Sequence, residues 1–142
     1  MRRKIIAIIF LLLFLLLFTS TSFANSGPGL QVGVFGTSLL TGLKRAGSVI
    51  YNNGDEDVLD ITFTFSVIGG YDDSINKIIL GEIEILQPNT SYLITTNKIN
   101  GFGPVIISNY VDSSNSGMTE EVINGFQLGS FTITQPYFIS WY

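Results

Sequence analysis

A chain of 142 residues makes a single domain the default and leaves room for a respectable core once a targeting segment is set aside. With eleven acids, seven basic residues and no histidine or cysteine, it lacks the usual general base, the thiol nucleophile, the common zinc ligand sets and any disulfide. The fold must therefore rest on its core and on whatever a partner adds.

At the N-terminus Arg2, Arg3 and Lys4 precede an unbroken apolar run of 14 residues, Ile5 to Phe18, and Thr19 to Phe23 leads to Ala24. This is the layout of a secretory signal spanning residues 1–24, with the small Ala24 at the cut. The run is shorter than the roughly 18 to 20 residues that span a bilayer. Bulky Phe23 beside the cut keeps an uncleaved anchor open as the alternative, in which case residues 5–18 are the contact with the membrane. Either way the remainder is expected outside the cytosol, secreted or held at the cell surface. It keeps four basic residues, Lys44, Arg45, Lys77 and Lys98, against eleven acids, for a net charge of −7. No basic patch is left for nucleic acid or for an anionic lipid surface, and the acidity reads as solubility.

Residues 25–29, NSGPG, form a flexible lead, and residues 30–135 read as all-β. Leu30–Phe35 is a first short strand, Gly36–Gly42 is turn-rich, and Ala46–Tyr51 is a second strand followed by the turn NNGDED. The third is the clearest: Leu59, Ile61, Phe63, Phe65 and Val67 share one face, Asp60, Thr62, Thr64 and Ser66 the other, and Gly69-Gly70 ends it. Lys77–Leu86 is the fourth, with Glu82 and Glu84 on a wet face, and Gln87-Pro88-Asn89 breaks it. Tyr92–Thr96, Val105–Val111 and Phe126–Thr134 complete seven. In the last of these the alternation shifts parity, which a β-bulge at Gly129 would restore. Seven short strands with turns at about ten-residue spacing predict a single immunoglobulin-like antiparallel β-sandwich. The segment 136–142, short and aromatic, is a strand extension or an end that docks on a neighbour.

Three patches carry a family resemblance. They are Asn52-Asn53-Gly54 with the alternating strand after it, Asn100-Gly101-Phe102-Gly103 leading into Val105–Ser108, and Gly125-Phe126-Gln127-Leu128-Gly129. Together with the turn Gln87-Pro88-Asn89-Thr90 before the fifth strand, they resemble the CARDB-like immunoglobulin-fold modules of archaeal and bacterial surface proteins, over about residues 30–135. The resemblance implies a secreted or cell-surface module used as a spacer, adhesion or assembly unit, without catalysis.

Residues with chemical potential are few. Asp55, Glu56 and Asp57, with Asp60 beyond, fit a turn in which Asn and Asp bond their own main chain and Gly54 takes positive φ. The segment departs from the EF-hand pattern, but Asp55 and Asp57 are the oxygen ligands it could offer calcium, joined by Asp72, Asp73 or Asp112 if the fold brings them close. Ser74-Ile75-Asn76-Lys77 matches S-x-x-K but lacks the companion motifs and the helix that chemistry needs, so it reads as a surface loop. Glu82 and Glu84 lie on one strand face with no opposing wall for glycoside hydrolysis. Gly101-Phe102-Gly103-Pro104 has no following lysine or helix to make a phosphate cradle and reads as a turn with close backbone approach. Asn89-Thr90-Ser91 fits the N-glycosylation pattern on a predicted turn. No catalytic residue and no cofactor other than calcium is named.

The expected function is that of an exported non-catalytic module for surface binding, adhesion or envelope structure, with a protein or glycan at the cell surface as partner. The alternative is a self-assembling subunit of a surface filament or layer that uses edge-strand pairing. A polysaccharide- or peptide-acting hydrolase is a distant third.

Overall fold

The computed structural model describes residues 27–36 and 45–134. The signal segment with its cut at Ala24, the turn-rich stretch after Gly36 and the segment 136–142 lie outside the described residues. Among the described residues eight strands are present: β1 (Leu30–Phe35), β2 (Gly47–Asn52), β3 (Val58–Gly69), β4 (Ile75–Leu86), β5 (Ser91–Thr95), β6 (Gly101–Asp112), β7 (Thr119–Gly129) and β8 (Phe131–Thr134). A single 3₁₀ turn, Tyr71–Asp73, joins β3 to β4.

The strands form two antiparallel sheets, of order β1-β2-β5 and β4-β3-β6-β7-β8. The fold is thus the all-β, immunoglobulin-like sandwich that the alternation predicts, with one strand more than the seven expected. Apolar residues of alternate positions meet between the sheets: Ile50 and Val34 on the smaller sheet face Phe65, Val67 and Ile107 on the larger, all buried. Burial of that seam is the main driving force for folding, at roughly 25 cal/mol per Å² of apolar surface.

Two strand assignments differ from the sequence pattern. Leu59 is exposed and Val58 is buried in its place. The cause is Asp60, whose φ of +50° breaks the alternation, so the buried positions of β3 run Val58, Ile61, Phe63. The segment Phe126–Thr134 is not one bulged strand but the two arms of a hairpin, in which Leu128 faces Phe131 across a two-residue turn. Gly129 there has φ +60°, a conformation that glycine-first hairpin loops use and that a bulge would also have required. β7 also begins seven residues earlier than the pattern indicates, at Thr119.

Shorter differences have local causes. Gly101–Pro104 belongs to β6 rather than to a turn, yet the close backbone approach is real: a Cβ on Gly103, whose φ is +123°, would collide with the main chain at Gly70 and Tyr71. The third strand does end at Gly69, and the Gly70 N–H bonds Pro104 O at 2.7 Å. Gln87-Pro88-Asn89-Thr90 is a tight turn closed by Thr90 N–H to Gln87 O at 3.2 Å, with Asn89 at φ +58°, the pattern of a type II turn with Pro at its second position.

Polar side chains fix how the sheets sit on each other. Asn52, fully buried at the end of β2, accepts the N–H groups of Gly29 (3.2 Å) and Gly54 (3.0 Å) on Oδ1. Its Nδ2 donates to Glu56 O and Leu86 O, both at 2.8 Å, the latter at the end of β4 in the other sheet. Asn109 Nδ2 of β6 donates to Ser48 Oγ of β2 at 2.7 Å, and Ser48 Oγ donates to Gly33 O. Gln127 of β7 donates to Ile99 O and Gly129 O and accepts from Thr132 Oγ1 at 2.6 Å.

The β6–β7 loop completes the sheet where β6 runs out. β6 reaches only to Asp112 opposite Thr62. Beyond it, Asn115 Oδ1 accepts the Leu59 N–H, Ser114 N–H and Oγ bond Leu59 O, and Asn115 Nδ2 bonds Asp57 O. Asp60 tolerates its left-handed backbone partly because its carboxylate accepts from Ser114 Oγ at 3.1 Å.

Asn52→Ala leaves two carbonyls and two N–H groups without their partner at once, with the Leu86 O and Gly54 N–H bonds buried and the other two part-buried. Unpaired buried groups each cost on the order of 1 kcal/mol, so the substitution is expected to lower stability by about 3 kcal/mol. Urea unfolding followed by tryptophan or far-UV signal checks this, and a loss below about 1 kcal/mol would contradict the assignment.

Candidate functional site

Three strands cannot cover five. The sandwich interior is filled where β3, β6 and β7 lie under β1, β2 and β5, and among the described residues no strand covers the opposite face of the larger sheet. Its outward positions are fixed by the register: Ile68 opposite Ile106, Pro104 opposite Phe126, Phe126 opposite Ile133, Phe102 opposite Leu128, and Leu128 opposite Phe131. These side chains form a continuous apolar area across β3, β6, β7 and β8, and half of the Phe102 surface remains exposed.

The rings are organised rather than scattered. Phe102 stacks on Tyr71 with centroids 5.5 Å apart and meets Phe126 edge-on at 5.2 Å, both favoured geometries for aromatic pairs. Beside them Ile68, Pro104, Ile106 and Gly125 floor a depression of about 440 Å³, with Asp73 and Asn124 among its lining residues. These eight apolar positions, at about 4.8 Å between strands and about 7 Å between rows along them, give an area of roughly 270 Å². Its size is within what ordinary monomers expose, and it is the organised rings beside a depression that make it a candidate interaction surface. Towards the other end of the face the character changes: Ser66 and Ser108 pair through their hydroxyls at 2.8 Å, and Glu82, Asp112 and Glu120 are exposed.

Of the residues singled out in the sequence, Phe102, Pro104, Phe126 and Leu128 lie on this face and Asp73 lines its depression, whereas the other polar candidates fall elsewhere. Asp55 and Asp57 lie in the loop before β3, where Asp55 Oδ1 accepts the Gly27 N–H. Asp112, at the end of β6, accepts the Ser113 N–H. Asp72 and Asp73 sit beyond the far end of β3, roughly 36 Å away by strand length. Among the described residues no three Asp, Glu, His or Cys side chains come together as a metal site would require. The Asn52 carboxamide does bond the Gly54 N–H within the turn, but Gly54 does not take the positive φ expected of it; glycine is needed there because a Cβ would strike the main chain at Gly27 and Gly29.

Asn89 is exposed at the tip of its turn and accepts from Tyr51 Oη at 3.3 Å. Ser74 follows the 3₁₀ turn and Lys77 lies in β4, so the S-x-x-K segment is a turn running into a strand. Glu82 and Glu84 border, with Asp60 and Thr62, a depression of about 210 Å³ on the surface of β3 and β4. Sequence reasoning missed the outer apolar face because Val105–Ile107 reads as a run buried on both sides; the register alone assigns Ile106 outward.

None of the family models, curated proteins or solved structures compared with this chain matches it. Among the described residues no helix is long and apolar enough to cross a membrane.

The acidic turn and the calcium reading make different predictions. With the Asp55 carboxylate bonded to Gly27 N–H, Asp55→Ala is expected to lower the melting temperature by no more than a few degrees, equally in chelator and in millimolar calcium. A calcium site on Asp55 and Asp57 would instead raise the wild-type melting temperature with calcium, and the variant would lose that response.

Proposed function

We propose that the protein is an exported, non-catalytic β-sandwich module that works by surface contact outside the cytosol, holding a protein or glycan of the cell surface on the outer face of its larger sheet. The observation that carries this reading is the apolar area of Phe102, Phe126, Leu128 and Phe131 with its neighbouring depression. An area of this kind left in water favours aggregation unless a partner covers it. The signal-like N-terminus supports the compartment, and the resemblance to CARDB-like modules supports a surface role. The composition supports the absence of catalysis, because without histidine or cysteine the nucleophile and base must come from other groups.

A second reading, a subunit that assembles by edge-strand pairing, is favoured by a separate observation. β4 is 12 residues long, pairs with β3 alone among the described strands, and carries Leu80 at 72 % exposure. Long apolar edge strands are templates for another chain.

The surface-contact reading predicts that the exported protein sediments with cell envelopes of its source. Leu128→Asp together with Ile133→Asp, both on the exposed face, is expected to reduce that binding about tenfold or more while the melting temperature stays within a few degrees. Undiminished binding by a folded double variant would remove the outer face from the mechanism.

A further inference from the structure

We propose that β4 pairs antiparallel with β4 of a second copy in one register, with Ile79 on the two-fold axis, to join two five-stranded sheets into one of ten. The inference rests on the assembly reading above and names its partner and geometry.

Natural edge strands are kept from pairing by shortness, proline, bulges, inward charges or a covering segment. The other edges show such devices. β8 and β5 have four and five residues. On β1 the Val34 N–H is taken by Glu121 Oε2 at 3.1 Å and the Leu30 N–H by Ser116 Oγ at 3.2 Å. β4 has no proline and stays in register with β3 along its length. Because the smaller sheet does not reach over it, Ile79 and Ile83 on its inner side are only partly buried, while Ile78 and Leu80 on its outer side are exposed. A depression of about 490 Å³ runs beside this edge, lined by Phe63, Thr64, Leu80, Gly81 and Glu82 among others. A strand with apolar side chains on both faces and, among the described residues, an unpaired outer edge is matched by another strand of the same kind.

Symmetry and charge select the register. A two-fold axis perpendicular to the sheet keeps inner faces with inner faces, so opposed residues have the same parity. Centring on Gly81 or Leu80 sets Leu80 or Ile78 against Glu82. Moving the centre to Glu82 or Ile83 brings glutamates against each other, which repels. With Ile79 at the centre, Ile78 faces Leu80, Ile75 faces Ile83, and Asn76 faces Glu82 as a hydrogen-bonding partner. Lys77 then faces Gly81, the position over which Phe63 lies so closely that a Cβ would strike its ring. The lysine stem and ammonium gain an aromatic neighbour there.

Single cysteines test this cleanly because the chain has none of its own. In the exported full chain, Ile79→Cys is expected to form a disulfide-linked dimer on mild oxidation, since opposed Cα atoms in an antiparallel pair lie about 4.5 to 5.5 Å apart, within disulfide reach. Asn76→Cys and Glu82→Cys are expected to cross-link when mixed but not alone, as each would lie roughly 20 Å from its own copy. Leu80→Lys is expected to reduce the dimer fraction in sedimentation about tenfold or more. An Ile79→Cys yield no greater than that of Leu93→Cys, exposed on β5, overturns the proposal. If Leu80→Lys still assembles while Ile79→Cys does not cross-link, the β4 pair is wrong and assembly uses another surface. A wild-type chain that stays monomeric at every concentration overturns the assembly reading along with it.

Discussion

The buried carboxamide of Asn52 is the constraint on which the arrangement of the two sheets most depends. A single side chain closes the turn after β2, receives the segment entering β1 and reaches the last residue of β4 in the opposite sheet. All four of its hydrogen-bonding positions are used, so it can be withdrawn from water without the penalty that an unpaired amide carries. Because these partners are main-chain groups from three separate segments, the bonds fix backbone positions rather than side-chain rotamers. The apolar seam provides the driving force but slides easily; directed bonds at its end determine where it stops.

The same role recurs along the sandwich. Ser48 on the second strand and Asn109 on the sixth join the strands that antibody domains connect by a disulfide. A hydrogen bond replaces the covalent link in a chain without cysteine, at the expense of leaving Asn109 Oδ1 buried with no partner. Gln127 does the corresponding work at the far end, where it holds the loop after β5 to the terminal hairpin. Loop residues such as Ser114 and Asn115 extend the logic by bonding the part of β3 that β6 does not reach. Cohesion without disulfides is thus distributed among amides and hydroxyls placed at strand ends and sheet crossings.

Strand alternation made most of this fold legible, and its failures have physical causes. From Ile61 to Val67 the period of two holds because both neighbours of β3 are regular. At Leu59 it fails because one residue with positive φ, Asp60, turns the parity over, and an aspartate signals that option without announcing it. Gly129 permits a bulge or a reversal equally, and only pairing of Leu128 with Phe131 decides. Thr119–Gly125 was hidden by Glu121, an acid on the inward side of its strand, whose purpose is visible only once Val34 N–H is seen beside it. The outer face escaped for a different reason. Apolar residues at both parities, as in Val105, Ile106 and Ile107, tell that both sides of a strand avoid water but not whether a layer of the same chain or another molecule covers each side.

Uneven layering connects the two surfaces proposed for function. Three strands over five leave the larger sheet, among the described residues, with an outer face that no strand covers and with a margin, β4, that overhangs the core. In the proposed pair the two larger sheets continue into each other with their outer faces on the same side, so the aromatic areas of both copies look in one direction. A partner that presents repeated sites, as a polymer or a layer does, would meet two areas held at fixed spacing. The second contact then forms at the effective concentration set by that rigid spacing, and weak single contacts sum to firm attachment. In the proposed pair, edge pairing and surface contact are successive uses of one structural asymmetry: a shallow apolar face of roughly 270 Å² is small beside the roughly 800 Å² per partner of a stable interface, and assembly narrows that gap by setting two such faces side by side.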